Sequence, residues 1–129
     1  MNRIIILNEE LESQMRMYLS LCDRYRVEIA EDEANLMRMI RRKNPKLVFI
    51  DADYSGFNGN GKTVFKTIQK IKKKYKDLKV VAIMQSNDRK MLEKVHEVGG
   101  DGVLLRPIHE DEVLESVDRI LPSLKSVFS

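Results

Sequence analysis

A single cysteine, Cys22, leaves no room for a disulfide framework or a cysteine-rich metal site. No apolar run approaches the ~18 residues that a membrane-spanning helix needs. The opening Met-Asn-Arg-Ile-Ile-Ile-Leu-Asn-Glu-Glu has a lone basic residue and too brief an apolar stretch before its acids to read as a signal peptide. Histidine is scarce: His96 and His109 have no second His or Cys at ligand spacing and are expected on the surface or at a helix end. Repeats, low-complexity stretches and linkers are also missing. Charge of one sign is nearly cancelled, with 23 basic against 20 acidic residues and a net +3. That is too little to argue for a nucleic-acid partner. The expectation is a soluble, cytoplasmic domain held together by packing, with no membrane or nucleic-acid partner.

What is present is a regular alternation of apolar blocks. With 129 residues, 43% apolar and 33% charged, the chain suits one domain. Residues 1–122 are read as that domain and 123–129 as a tail or the start of a linker, Pro122 ending the last helix. Ile4–Leu7, Leu47–Ile50 and Val80–Met84 are continuous apolar runs, the pattern of strands covered on both faces of a parallel sheet. Val27–Ala30 and Val103–Leu105 are shorter examples. Between them lie helical stripes. The first is Leu11, Met15, Leu19 and Cys22, expected to face the core with Cys22 as a small buried hydrophobe. Leu36, Met37 and Ile40 form a second, with Asp32 as N-cap. The others are Val64, Ile68, Ile71 and Tyr75; Met91, Leu92, Val95 and Val98; and Val113, Leu114, Val117, Ile120 and Leu121.

Strands alternating with helices imply an α/β fold, a doubly wound parallel sheet with helices on both faces. For five strands the flavodoxin-like order 2-1-3-4-5 is expected, with the ligand crevice beyond the carboxyl ends of the strands. Asn8, Glu9 and Glu10 follow strand 1, Asp51 and Asp53 follow strand 3, Ser86 and Asn87 strand 4, and Arg106 and Pro107 strand 5. Carboxylates, a hydroxyl and a cation converging on one edge suit Mg²⁺ and a phosphoryl group. Glu9, Asp51 and a carbonyl at Asp53 are the candidate hard-oxygen metal ligands, with Ser86 and Arg106 the candidates to hold phosphoryl oxygens.

From Ile4 to Leu121 the chain resembles the receiver domains of two-component response regulators, the CheY-like family. The resemblance rests on Leu47-Val48-Phe49-Ile50-Asp51 followed by Phe57-Asn58-Gly59, and on Gly99-Gly100-Asp101-Gly102-Val103-Leu104-Leu105-Arg106-Pro107. It implies that Asp51 is the phospho-acceptor, attacking a phosphohistidine with Mg²⁺ on Glu9, Asp51 and Asp53. Ser86 would be the switch hydroxyl, and the bond before Pro107 a cis peptide. The implied partners are a histidine kinase or phosphotransfer protein and a downstream protein on the helix 4–strand 5–helix 5 face, with a homodimer open. The implied role is signalling rather than metabolic catalysis.

Several positions depart from the pattern. The family's paired acids after strand 1 are Asn8-Glu9, its lysine is Arg106, its loop proline is Ser55, Asn87 follows the switch hydroxyl, and the aromatic switch falls on Val103. These departures keep a second reading open, a phosphorylation-independent pseudo-receiver that serves as a protein-interaction module.

Gly56-Phe57-Asn58-Gly59-Asn60-Gly61-Lys62-Thr63 matches the G-x-x-x-x-G-K-T phosphate-binding loop. It does not follow its strand directly, and no later strand ends in an acid to serve as the second metal ligand, so nucleotide binding is not the expected use. The lysines between Lys62 and Lys79 are read as the solvated face and last turn of a helix.

Overall fold

Strands that are apolar along their whole length must be covered on both faces, and the amphipathic segments between them supply the cover. The computed structural model describes residues 2–57, 63–85 and 89–121. Within them run β1 (Arg3–Leu7), α1 (Leu11–Leu21), β2 (Arg26–Ile29), α2 (Glu33–Lys43), β3 (Leu47–Asp51), α3 (Val64–Lys74), β4 (Lys79–Met84), α4 (Arg89–Glu97), β5 (Gly102–Leu105) and α5 (Glu110–Ile120). The strands form one parallel sheet in the order β2-β1-β3-β4-β5, as the alternating pattern predicts.

Alternate residues of each strand feed two cores. Ile5, Leu7, Val48, Ile50, Val80 and Ala82 point to the face covered by α2, α3 and α4, where Leu36, Ile40, Ile68, Ile71 and Val95 meet them. Ile4, Ile6, Leu47, Phe49, Val81 and Ile83 point to the opposite face, covered by α1 and α5 through Met17, Leu21, Val113 and Val117. Burying side chains of this size contributes roughly 1.5–3 kcal/mol each. The helix ends follow local chemistry. The Asp32 carboxylate accepts from the Asn35 N–H at 2.7 Å, and the Thr63 hydroxyl from the Lys66 N–H at 3.1 Å. After α4, Gly99 takes φ 97°, a left-handed conformation that suits glycine at a helix end.

One helix face is reversed from expectation. Leu11, Met15 and Leu19 are 67%, 55% and 60% exposed, and Cys22 is half-buried, not a core residue. The buried line of α1 is Ser13, Met17 and Leu21, continuing into Tyr25. Both lines have the same i, i+4, i+8 spacing, so periodicity cannot choose between them. Hydrogen bonds at the start of the helix do. The Gln14 side chain donates to the Asn8 carbonyl at 2.8 Å and the Ser13 hydroxyl donates to Glu10, holding the less apolar line inward.

Candidate functional site

The carboxyl ends of β1, β3 and β5 bring their following residues to one edge. Asp51 is the last residue of β3, paired in register with Ile83 of β4, and is only 2% exposed. The Asp53 N–H donates to its Oδ1 at 2.9 Å, an Asx-type turn that fixes the carboxylate. Arg106 follows β5 directly, and its backbone N–H extends the ladder by donating to the Met84 carbonyl at 2.8 Å. The bond to Pro107 is cis, as the resemblance implied.

From there the guanidinium reaches across the sheet edge and grips Asp51 with both arms. Nη1 donates to Oδ1 at 3.1 Å and Nη2 to Oδ2 at 2.8 Å. Nη2 also donates to Asn8 Oδ1 at 2.8 Å. Asp53 Oδ2 stands 3.7 Å from Nη1 and Glu10 Oε2 stands 4.0 Å from Nε, which is buried and makes no hydrogen bond. A forked Arg–carboxylate pair is the strongest form of this interaction. Its side chains are only 8% and 3% exposed, so neither charge is compensated by water. Beside the pair an open groove is lined by Glu10, Ser13, Arg16, Arg106, Ile108 and His109.

Glu9 points elsewhere. Its Oε2 accepts from the Ser55 N–H at 2.9 Å and its Oε1 from the Ser55 hydroxyl at 2.6 Å. These two hydrogen bonds hold the Glu9 carboxyl below the usual glutamate range, against the opposing effects of partial desolvation and the Asp51 charge. Ser55 opens a single 3-10 turn, Ser55–Phe57, whose Phe57 ring is buried and meets Tyr54 edge-to-face at 5.3 Å. Glu9 therefore ties the loop after β3 to the end of β1.

Asp51, Asp53 and Arg106 are thus brought together, with Glu9 on the same edge but turned to Ser55. Ser86, Asn87 and residues 58–62 of the phosphate-loop match, Lys62 included, lie outside the described residues. His96 and His109 are exposed, and His109 is the N-cap of α5. Sequence reasoning missed Asn8 and Ser55 as working parts of the site. Their signal was present: each stands where the family pattern has a different residue, and each supplies a polar group to a charged neighbour.

The donor chemistry of Glu9, Asp51 and Asp53 suits Mg²⁺, but their arrangement does not fit the ion. Both Asp51 oxygens are engaged by Arg106 and both Glu9 oxygens by Ser55. Among the described residues no group of three or more His, Cys, Asp and Glu side chains is placed to hold a metal ion.

Comparisons with known proteins agree with this architecture. The chain superposes on a two-component response regulator from Clostridium difficile with a TM-score of 0.83 at 16% identity, covering 100% of both chains. A response regulator from Thermotoga maritima gives 0.82 at 23% identity over 94% of this chain and 98% of that one. The chemotaxis response regulator CheY4 of Vibrio cholerae gives 0.79 at 18% identity over 94% and 99%. No curated protein sequence matches the chain. At these identities the structures speak for the fold alone. The family comes from the sequence model of the response regulator receiver domain, which matches residues 5–118 and so includes Asp51, Arg106 and every strand after the first two residues of β1. With nearly the whole chain matched, this protein belongs to the response regulator receiver domain family of two-component systems.

Proposed function

We propose that this receiver domain accepts a phosphoryl group on Asp51 from a histidine kinase or phosphotransfer protein. The observation that carries the reading is the forked Arg106–Asp51 pair at the carboxyl edge of the sheet. The same guanidinium geometry that matches a carboxylate matches a phosphoryl group. One Asp51 oxygen attacks the phosphorus of phosphohistidine; the P–O bond forms as the P–N bond breaks, and its electron pair returns to the imidazole. Arg106 then transfers its fork from the carboxylate to the phosphoryl oxygens, with the Ser86 hydroxyl as a further donor. Asn8 keeps Nη2 in place with no charge of its own to repel the incoming group.

The exposed apolar line Leu11, Met15 and Leu19 starts next to Glu10, at the rim of the groove beside Arg106, and serves as the docking surface for the phosphodonor protein. The downstream partner takes the α4–β5–α5 face, where β5 and α5 leave a shallow groove along Val103, Leu105, Glu112 and Arg119. Among the described residues no helix is long and apolar enough to cross a membrane, which is compatible with action in the cytoplasm.

The near-complete burial of Asp51 favours the second reading, a receiver fold that binds partners without phosphorylation. Intact-mass measurement after incubation with acetyl phosphate, with and without Mg²⁺, separates the two. A phosphoryl adduct in wild type and none in Asp51→Asn is expected. No adduct in wild type under either condition would rule out the acceptor reading and leave the interaction module.

A further inference from the structure

We propose that Arg106 is the resident cation of the acidic crevice and excludes Mg²⁺ from it. The inference deepens the reading above, but of that reading it needs only the shared crevice of Asp51 and Arg106, not phosphorylation itself.

Among the described residues the side-chain oxygens that the Arg106 guanidinium approaches within 4.0 Å belong to Asn8, Asp51, Asp53 and Glu10. It hydrogen-bonds both Asp51 oxygens and Asn8 Oδ1, and an arginine cannot release its charge by deprotonation. A divalent ion seeking Asp51 must displace a buried fork and then sit beside a like charge. Mg²⁺ also demands near-ideal octahedral geometry and dehydrates reluctantly, so it needs several hard ligands already free. Glu9 is turned away from Asp51, each of its oxygens already accepting a hydrogen bond from Ser55. Asn8 adds an oxygen but no negative charge, and of the two acids that follow it Glu9 is turned to Ser55 while Glu10 faces the Arg106 Nε at 4.0 Å. Each of these features acts in the same direction. Asp51 is neutralised by a covalently tethered charge, and its state is insensitive to the Mg²⁺ concentration around it.

Isothermal titration with Mg²⁺, with Mn²⁺ electron paramagnetic resonance as a second readout, tests this on wild type, Arg106→Lys and Arg106→Ala. Circular dichroism establishes that each variant is folded, and Arg106→Lys keeps a charge near Asp51 should Arg106→Ala fail to fold. Wild type is expected to show no saturable binding across the millimolar range. Arg106→Lys, which leaves one Asp51 oxygen free, binds measurably, and Arg106→Ala binds at least about tenfold more tightly than wild type. Saturable binding by wild type as tight as by the variants would overturn the proposal, as would the absence of binding in every folded variant. Failure of the acceptor reading is distinguishable, because it appears as a missing mass adduct while this order of metal affinities stands.

Discussion

Two carboxylates on the same sheet edge have been given opposite tasks by their hydrogen-bond partners. Asp51 is a buried charge satisfied by a buried counter-charge, so removing either member strands the other. Arg106→Ala or Asp51→Ala is expected to cost about 3–5 kcal/mol in urea unfolding, and the double variant clearly less than the sum. Strict additivity would show that the pair does not act as a unit. Glu9 is exposed, and its carboxyl is held below the ordinary value of 4.5 by the Ser55 N–H and O–H. A depressed carboxyl pKa stabilises the fold above its unfolded value, and that contribution fades as the pH falls through the folded value. Carbon-detected NMR titration should therefore find Glu9 titrating below 4.5 in wild type and closer to it in Ser55→Ala. An unchanged midpoint in the variant would remove Ser55 as the cause. Neither partnership was legible from the strand ends. The sequence placed Glu9, Asp51 and Arg106 on one edge, but which carboxylate the guanidinium takes depends on side-chain reach across strands.

At the scale of elements, α1 separates what periodicity can tell from what it cannot. Its two lines have equal spacing, and the more apolar one, Leu11–Met15–Leu19, is the one facing solvent. The buried line includes Ser13, whose hydroxyl is satisfied by Glu10, so the helix buries a polar group at the crevice instead of a leucine. In α2 and α3 a single apolar line competes with strongly charged faces, and there the expected Leu36, Ile40, Val64, Ile68 and Ile71 are buried, with Met37 and Tyr75 partly so. The consequence for α1 is measurable. Leu19→Glu should leave stability within about 0.5 kcal/mol of wild type, whereas Met17→Ala should lose about 2–5 kcal/mol. If the line is a docking surface, Leu19→Glu also slows phosphotransfer from a donor protein while leaving the reaction with acetyl phosphate unaffected. Equal slowing of both reactions would place the effect in the crevice and not on the helix.

For the whole molecule, the fold was the most legible part because it follows from counting. Runs such as Ile4–Leu7 and Val80–Met84 have no polar face, and only a sheet covered on both sides can bury them. The site was less legible because it depends on substitutions whose effect is relational: Asn8 and Ser55 acquire meaning only from what Arg106 and Glu9 do with them. The doubly covered sheet also carries a mechanical implication. Ile4 belongs to the core under α1 and α5, and Ile71 to the core under α2, α3 and α4, so the thickness of the sheet lies between them. Ile4→Val and Ile71→Val should each cost about 0.5–1.5 kcal/mol. With no shared partner, the double variant should equal their sum within about 0.5 kcal/mol. A larger discrepancy in urea unfolding would mean that the sheet transmits strain between the two layers. Because Asp51 lies on a strand that feeds both cores, such coupling would give the crevice a route to either helical face. Additivity would instead confine the consequences of a change at Asp51 to its own edge, where Arg106 and the Asp53 N–H touch it.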